Sequence, residues 1–446
     1  MSVDEEQPGD ELLRLVVSAL RWGGLWRPPG SGLWYRLYQT AVLSVGPLLV
    51  AGVLLSAAHV ARQAEVGGSA LAVHVYYCTV LLSNTAKTAV FAACRNRLSH
   101  ALAILAHCPR SERSKEMGVI SRRKARLMFA LPQVMVVLAV ATHSVVPLLG
   151  TEDNGPSICS SLQAEDGLST AGGCFSGRFP LELWYPTAAH SAPLYHIVYV
   201  LQLLAIYYTC HTAINVDLFF FAVTNHASSQ LEELNNALCS MGSRRPAHHI
   251  PINRRRGSAE SDHSLNGSRG DGPSWDTSEK NLVQVEHQKT MYQGLIRLIR
   301  LHQIITRAVT ELEPVISYAL FGPILTNILN ICLHMLVLTT EHDNMGTNSK
   351  AFVGIVFNLI QNGLYCSFGE TLTHQSDRLF ISIYSSGWED GYPKFEQAVA
   401  ILLFQTRKPL QIKVAKLYTL SRRTFLQLLN NSYGLFNLLY QVKNPE

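Results

Sequence analysis

The last apolar stretch of the chain carries many side chains that can hydrogen-bond to water or ions. Residues 420–442 read LSRRTFLQLLNNSYGLFNLLYQV, long enough for a helix that crosses a bilayer. Its polar members are amides, hydroxyls and phenols: Gln427, Asn430, Asn431, Ser432, Tyr433, Asn437, Tyr440 and Gln441. A polar group at membrane depth is costly unless it meets another polar group or water. The stretch therefore predicts a transmembrane helix with one face on a water-filled path, as in an ion pore.

Other kinds of chemistry leave no comparable pattern in the sequence. The nine cysteines form no CxxC pair and no Cys/His cluster with zinc spacing, so we expect neither a metal nor a cofactor. No predicted span carries two facing carboxylates or a repeat of broken helices. We therefore expect neither an enzyme nor a transporter. Asp217 is the one acidic residue inside an apolar run of the sequence, near its predicted cytosolic end.

Long runs without charge must position this polar stretch, and they predict further membrane spans. We predict an all-α membrane protein with seven transmembrane helices, at residues 37–60, 70–94, 127–149, 188–223, 314–340, 351–372 and 420–442. Composition predicts a cytosolic tail (1–36), an extracellular loop (150–187), a disordered cytosolic insertion (241–280), a cytosolic helix (281–313) and a cytosolic anchor segment (373–419). The last two together predict a cytosolic helical anchor domain.

Two charged residues lie in or beside predicted spans and need an explanation. Lys87 lies within two turns of the cytosolic end of the second span. A lysine stem can lie along apolar surface while its ammonium group reaches the interface, so we expect Lys87 to snorkel rather than to form an intramembrane ion site. The fourth apolar run continues past Asp217 through LFFFAVTNH, which is too long for a bilayer alone. We therefore expect this helix to protrude from the membrane.

The distribution of Lys and Arg predicts the side of the membrane on which each connection lies. One side holds the N-terminal tail, a loop with nine basic residues between 95 and 126, the insertion and the anchor segment. The other side holds Arg62, Arg178, Lys350 and Lys443. Because basic loops remain cytosolic, we expect a cytosolic N-terminus and an extracellular C-terminus. That orientation excludes an ordinary G-protein-coupled receptor. The mild net charge of +5, placed in loops, gives no indication of nucleic-acid binding.

Short motifs in the last third of the chain resemble the insect odorant receptor family. The family's sixth span and the cytosolic segment after it are similar to YCSFGE at 365–370, Ser376 and YSSGW at 384–388. The run before the family's last helix is similar to KPL at 408–410 and AKLYTLS at 415–421. The last helix itself resembles Thr424-Phe425, Ser432-Tyr433 and Phe436. The order and spacing of these motifs, together with the inverted topology, make the resemblance specific.

The resemblance implies a cation channel of four subunits, each contributing its last helix to a central pore, with no G protein required. Most family members are tuning subunits that bind volatile odorants and assemble with a shared coreceptor, and this C-terminus looks like that of a tuning subunit. By resemblance the gate is Leu438, one turn before Gln441. An aliphatic ring dewets a pore, while an amide ring replaces part of an ion's hydration shell. The implied location is the lipid bilayer of the plasma membrane, in a sensory neuron dendrite.

The resemblance also implies a pocket for a small volatile ligand, among the outer halves of spans two, three, four and six. Those parts of the sequence contain His74, Tyr76, Tyr77, Val80, Leu138, Thr142, His143, Val146, Tyr195, His196, Tyr199, Gln202, Ile355, Asn358 and Leu359. Aromatic walls with few hydrogen-bonding groups suit a small apolar or heteroaromatic molecule. Each position taken singly is also compatible with helix packing or with anchoring at the membrane interface.

Two questions stay open from the sequence. Cys159 and Cys174 lie in the predicted extracellular loop, which faces an oxidising compartment. They either form a disulfide that closes a short loop over the pocket or remain two free thiols. The alternative function is a gustatory receptor of the same superfamily, which forms homomeric channels. Current from this chain expressed alone would favour that alternative.

Overall fold

The computed structural model of the chain describes residues 11–27, 30, 32–62, 68–106, 118–148, 179–181, 193–243, 275–340, 345–390 and 392–443. The described part is almost entirely helical, as the long apolar runs predict. Its helices are α1 (Glu11–Trp22), α2 (Leu33–Arg62), α3 (Gly68–Ala93), α4 (Arg95–Ala106), α5 (Gly118–Leu148), α6 (Leu194–Ser243), α7 (Trp275–Thr340), α8 (Met345–Tyr384), α9 (Pro393–Thr406) and α10 (Arg422–Lys443). A hairpin of β1 (Lys413–Val414) and β2 (Tyr418–Thr419) precedes α10.

Five stretches of the described helices are long and apolar enough to cross a membrane. They are Leu33–Ala58, Arg123–Ala141, Leu194–Met241, Gln288–Thr339 and Asn348–Tyr384, and they fall on the predicted spans one, three, four, five and six. The predicted second and seventh spans are also helical, as α3 and α10. These two helices carry more polar side chains, including Lys87 in α3 and the amides of α10. They therefore need polar partners or water at membrane depth.

Several helices extend well beyond the predicted spans. The helices α6, α7 and α8 contain 50, 66 and 40 residues. At 1.5 Å per residue α7 is about 100 Å long, compared with about 30 Å for the hydrocarbon core of a bilayer. The helix α7 continues through Pro314 and Pro323. The predicted cytosolic helix and span five are therefore one continuous helix rather than two elements meeting at Pro314. This helix begins at Trp275, so the last six residues of the predicted insertion, 275–280, are helical; residues 244–274 lie outside the described part.

The chain divides into two compact units. The first, here called the membrane unit, comprises Met1–Ala227, Arg307–Thr373 and Gln411–Glu446. The second, here called the anchor unit, comprises Ser228–Thr306 and His374–Leu410. In the membrane unit α1 packs on α5 and α2 packs on α3. The helix α1 is amphipathic, and its apolar face is buried: Leu12, Val16, Val17 and Leu20.

The anchor unit has an apolar core of its own. Its buried side chains come from the ends of α6 and α8, the first part of α7, and α9: Leu231, Leu234, Leu238, Leu295, Leu379, Ile383, Phe395, Val399 and Leu402. The Asn235 Nδ2 donates a hydrogen bond of 2.9 Å to the carbonyl oxygen of Gln375. The Leu410 N–H donates one of 2.8 Å to the hydroxyl of Ser376. The second bond gives a structural role to Ser376, one of the residues that carry the resemblance.

The hairpin before α10 was not predicted, and its turn has an unusual backbone. Ala415 and Lys416 have φ of 51° and 59°, in the left-handed region that costs a residue with a side chain about 1–2 kcal/mol. The turn is closed by the Leu417 N–H, which donates to the Val414 carbonyl at 3.0 Å. The Ala415 N–H donates to the Ser317 hydroxyl of α7 at 2.8 Å. The AKLYTLS motif is therefore a hairpin held against α7 just before the last helix.

The helices α8 and α10 approach each other closely at a glycine. A side chain at Gly369 would clash with the Leu420 side chain and lie 2.6 Å from the Leu420 carbonyl oxygen. The close approach of Leu420 therefore requires a residue without a Cβ atom at position 369. Two turns away in α8, a Cβ at Gly363 would lie 3.9 Å from the Phe425 ring, an ordinary contact distance.

We predict that Gly369→Ala reduces the amount of folded receptor, because the new methyl group forces α8 and α10 apart. Overpacking of this kind costs about 1–3 kcal/mol. The measurement is the monodisperse fraction of detergent-solubilised protein after heating. Gly363→Ala is the matched control on the same helix, and we expect its profile to equal that of the native chain. Equal profiles for both variants would show that the close approach at Gly369 has no energetic role.

Candidate functional site

A cavity of about 140 Å³ lies in the membrane unit, among α3, α5, α6, α7 and α8. Its walls are mostly apolar, with amides and two charged residues at some positions. The lining residues are Tyr76, Tyr77, Val80, Leu81, Ser83, Asn84, Val136, Ala139, Val140, Leu181, Ile206, Cys210, Ala213, Ile214, Asp217, Pro323, Thr326, Asn327, Asn330, Lys350, Val353, Gly354, Phe357, Asn358 and Gln361.

Helical periodicity explains which side chains reach this cavity. The lining residues of α3 recur at three or four positions, from Tyr76 through Val80 to Asn84. Those of α8 recur in the same way at Gly354, Phe357 and Gln361. Residues spaced by three or four share one face of a helix. Each of these helices therefore presents one face to the cavity, and the rest of its circumference packs on neighbouring helices or is exposed.

Four of the ligand residues predicted from the resemblance line this cavity: Tyr76, Tyr77, Val80 and Asn358. Tyr76 and Tyr77 are half-buried, with ring centroids 5.3 Å apart, and the Tyr76 ring lies 4.5 Å from that of His334. Asn358 is buried and its Nδ2 donates to the Gly354 carbonyl at 2.8 Å within α8. All four residues that were predicted and also line the cavity therefore belong to the second and sixth predicted spans.

The other predicted ligand residues have different surroundings. His74 Nε2 lies 2.9 Å from the Ser56 hydroxyl, and Tyr195 packs with Phe179 and Tyr199 in a separate cluster. Gln202 accepts a hydrogen bond of 3.1 Å from the Leu181 N–H. Leu138 and His196 are exposed, and Ile355 and Leu359 are half-buried away from the cavity. The side chains of Thr142, His143 and Val146 lie outside the described part. Cys159 and Cys174 also lie outside the described residues.

The fifth predicted span contributes a wall that the sequence-based prediction omitted. Thr326, Asn327 and Asn330 of α7 line the cavity, and both asparagines are buried. The resemblance directed attention to spans two, three, four and six. A physical signal was nevertheless present in the sequence, because two asparagines three residues apart in an apolar span lie on one face and require polar surroundings.

A buried ion pair forms part of the cavity wall. The Lys87 Nζ lies 2.9 Å from both carboxylate oxygens of Asp217, and both side chains are 0% exposed. The expectation that Lys87 snorkels to the interface is therefore wrong. Asp217 neutralises the ammonium group inside the helix bundle, and a buried charge of this kind is tolerated only when it is paired and hydrogen-bonded.

Amide and phenol groups complete the coordination of this ion pair. The Gln361 Nε2 donates 2.8 Å hydrogen bonds to Asp217 Oδ2 and to the Tyr365 hydroxyl. The Tyr365 side chain is buried, and its hydroxyl accepts the second of these bonds. The Asn327 Nδ2 lies 3.3 Å from Gln361 Oε1. The network therefore joins α3, α6, α7 and α8, and Asp217 and Gln361 bring it to the cavity surface.

The last helix, α10, has one packed face and one open face. Thr424, Leu428 and Ser432 are buried and recur every four residues. A second face, about 100° around the helix, carries an exposed stripe at spacings of four and three residues: Gln427, Asn431, Gly434, Leu438 and Gln441. Leu438 is 57% exposed. Both residues predicted for the gate therefore belong to a mostly polar face that the described part of the chain leaves uncovered.

The family model described as 7tm Odorant receptor matches residues 69–433, about four fifths of the chain. The chain belongs to the 7tm odorant receptor family. This is a family of receptors and not of enzymes, in agreement with the prediction that the chain has no enzymatic activity.

Curated members of the odorant receptor family are similar to this chain at low identity. The odorant receptor coreceptor of Aedes aegypti is 23% identical over 304 residues, which cover 60% of this chain and 63% of that protein. Odorant receptor 2a of Drosophila melanogaster is 26% identical over 172 residues, 37% of this chain and 42% of that protein. The chain therefore spans less than two thirds of the length of each of these relatives.

A solved odorant receptor structure confirms the fold. The insect olfactory receptor OR5 from Machilis hrabei, in complex with eugenol, matches with a TM-score of 0.70 at 13% identity. The match covers 96% of this chain and 97% of that chain. The predicted all-α, seven-transmembrane fold is therefore confirmed, and this member of the family is a multi-pass membrane protein.

We predict that Asp217→Asn strongly destabilises the receptor, because it leaves the Lys87 ammonium group buried without a counter-charge. Removing one partner of a buried ion pair costs about 3–5 kcal/mol. The measurement is the apparent Tm of the detergent-solubilised protein. The double variant Lys87→Met with Asp217→Asn removes both charges and should recover most of the loss.

The control for this prediction is an ion pair at the surface. Arg126 Nε lies 2.6 Å from Glu11 Oε1, and the Arg126 side chain is 72% exposed. Exposed pairs contribute about 0–1 kcal/mol, so Arg126→Gln should leave the Tm nearly unchanged. An Asp217→Asn protein as stable as the Arg126→Gln protein would refute a structural role for the buried pair.

Proposed function

We propose that the chain is a tuning subunit of an odorant-gated cation channel in the plasma membrane of a sensory neuron. In this proposal it binds a small volatile molecule in the cavity of the membrane unit and contributes α10 to a pore shared with an odorant receptor coreceptor, four subunits in all. The observation that carries the proposal is the largely apolar cavity enclosed by five helices of a chain in the odorant receptor family.

The size and lining of the cavity support a small organic ligand. A cavity of about 150 Å³ lined by apolar side chains can hold benzene, and the cavity here has about 140 Å³. Aromatic and aliphatic walls with a few polar groups are typical of pockets for such molecules. The OR5 structure was solved in complex with eugenol, a small aromatic compound. By analogy we assign the odorant of this chain to its own cavity.

One helix carries both the cavity wall and the contact with the pore helix. Gln361 of α8 lines the cavity, and two turns further the backbone of Gly369 lies against Leu420. The neighbouring Glu370 Oε2 accepts a hydrogen bond of 3.3 Å from the Arg422 N–H at the start of α10. Odorant binding that favours one position of α8 therefore also favours one position of α10. This is a population shift, and its size is limited by the difference in ligand affinity between the two arrangements.

The exposed stripe of α10 supports its assignment to a pore. A single helix cannot enclose a water-filled path, so the stripe needs equivalent helices from other subunits. Leu438 would form the narrow apolar ring, and Gln441, one turn further along, would form a polar ring. The coreceptors among the relatives support a mixed channel in which a coreceptor supplies the other copies.

Whole-cell recording with and without a coreceptor tests the proposed function. The chain is expressed in cells that lack odorant receptors, alone or with an odorant receptor coreceptor, and a panel of volatile compounds is applied. We expect cation current only when both proteins are present and an odorant is added. Current from the chain alone would favour the homomeric gustatory-type alternative. Absence of current from a surface-labelled complex across the whole panel would overturn the proposal.

We predict that Val80→Phe raises the odorant concentration needed for half-maximal current roughly tenfold, equivalent to about 1.4 kcal/mol. Val80 lines the cavity, so the larger ring occupies space that the odorant needs. Leu138→Phe is the matched control, because Leu138 was predicted from the sequence to contact ligand but is 50% exposed and does not line the cavity. A concentration–response curve shifted by Leu138→Phe and not by Val80→Phe would place the odorant elsewhere.

We predict that Leu438→Ser increases the current in the absence of odorant, because a smaller polar side chain wets and widens the apolar ring. Leu426→Ser is the matched control. Leu426 is also exposed on α10, at 59%, but lies about 120° around the helix from Leu438. Basal and odorant-evoked currents are compared at equal surface expression. If both substitutions have the same effect, or neither has any, Leu438 is not the gate.

A further inference from the structure

Three asparagine side chains line the cavity, and they are here called the amide wall: Asn84 of α3 and Asn327 and Asn330 of α7. Asn327 is 5% exposed and Asn330 is 2% exposed. Buried amides need hydrogen-bond partners, because an unsatisfied amide costs about 1–3 kcal/mol. The partners that the chain provides to these three residues determine what the wall offers to a ligand.

Asn327 retains an acceptor. Its Nδ2 is used by the neighbouring network, at 3.1 Å from Asn362 Oδ1 and 3.3 Å from Gln361 Oε1. Both bonds require the nitrogen to be the donor, which orients the amide. The Oδ1 of Asn327 has no protein donor in the described part of the chain, so it is open to a donor in the cavity.

Asn330 and Asn84 add donors and acceptors to the same wall. The Asn330 Oδ1 lies 3.0 Å from the Thr79 hydroxyl, and its Nδ2 has no acceptor among the described residues. Asn327 and Asn330 are three residues apart, so they project from the same face of α7. Asn84 is half-buried, and within the described part of the chain its side chain forms no hydrogen bond. An acceptor and a donor are therefore available side by side.

The charged residues of the cavity are already occupied. Asp217 is bonded to Lys87 and Gln361, and Lys350 also has an interaction within the protein. A cationic or anionic ligand would have to compete with these partners and lose its own hydration. The polar groups that remain open in the described lining are neutral amides and hydroxyls, which favour a neutral ligand.

We propose that the amide wall makes this receptor selective for small neutral molecules that carry a hydroxyl group, that is, alcohols or phenols with an apolar body. A hydroxyl group donates one hydrogen bond and accepts up to two, so it can donate to the open oxygen of Asn327 and accept from the open nitrogens of Asn330 and Asn84. A carbonyl compound satisfies the donor alone, and a hydrocarbon leaves both groups without partners. This inference rests on the proposed function, because it assigns the odorant to the same cavity.

The test uses three probes of the same shape: benzyl alcohol, benzaldehyde and ethylbenzene. They have the same number of non-hydrogen atoms and differ in the group at the end of the short side arm. Concentration–response curves are recorded from the full chain with a coreceptor. We expect potency to fall in that order, with about a tenfold difference between the alcohol and the hydrocarbon, since about 1.4 kcal/mol corresponds to a factor of ten. Equal potency of ethylbenzene and benzyl alcohol would overturn the inference.

Two variants assign the preference to the amide wall. In Asn330→Leu and in Asn84→Leu, we expect benzyl alcohol to lose about tenfold in potency while ethylbenzene keeps or gains potency. Asn84 has no hydrogen bond to lose among the described residues, so its variant is the safer of the two for folding. Asn96→Leu is the matched control, because Asn96 is exposed on α4 and does not line the cavity. An unchanged ligand preference in both cavity variants would overturn the role of the wall.

Failure of this inference is distinguishable from failure of the proposed function. A channel that responds to other odorants of the panel but not to benzyl alcohol overturns the selectivity alone. A surface-labelled complex that responds to no odorant of the panel overturns the proposed function. Ethylbenzene as the strongest of the three probes would indicate a cavity that recognises shape without using its amides.

Discussion

The pairing of Lys87 with Asp217 is the interaction on which the surroundings of the cavity depend. Two ionised groups without water carry a desolvation cost of several kcal/mol each, and only close, well-hydrogen-bonded pairing offsets it. The requirement fixes one position of α3 against α6, since both carboxylate oxygens lie 2.9 Å from the ammonium nitrogen. Gln361 then holds α8 to the same pair, and Gln361 is itself bonded to the buried Tyr365 hydroxyl. The cavity is the space that these helices enclose beside the ion pair.

The sequence reveals each member of this pair but not the pair itself. Lys87 and Asp217 both stand out as charges in apolar runs, yet they are 130 positions apart. Periodicity locates the faces of one helix, but it contains no information on the rotation of one helix against another. Considered alone, Lys87 is as compatible with snorkelling as with burial. The contact becomes evident only when the two helices are seen together, and it reverses the expectation for Lys87.

The same limit explains how much of the site could be predicted. Charge-free runs and the distribution of basic residues were sufficient for the helical membrane fold, and the short C-terminal motifs were sufficient for the family. Whether a side chain reaches the cavity depends on its direction around the helix, which changes by about 100° per residue. Tyr76 therefore lines the cavity, while His74, two residues away, contacts Ser56 instead. The wall from α7 was omitted because the resemblance pointed to other spans. The polar pair Asn327 and Asn330 in an apolar run was the sequence signal that could have revealed it.

The position of Gly369 determines how a change at the cavity reaches the last helix. A flexible side chain between α8 and α10 would absorb a small displacement by changing its rotamer. Here the backbone of one helix lies directly on Leu420, with no side chain between them. The hairpin with left-handed Ala415 and Lys416 holds the same end of α10 to α7 through Ser317. The start of α10 is thus fixed by two helices that also form cavity walls, so a ligand that shifts either wall acts on the backbone of the last helix.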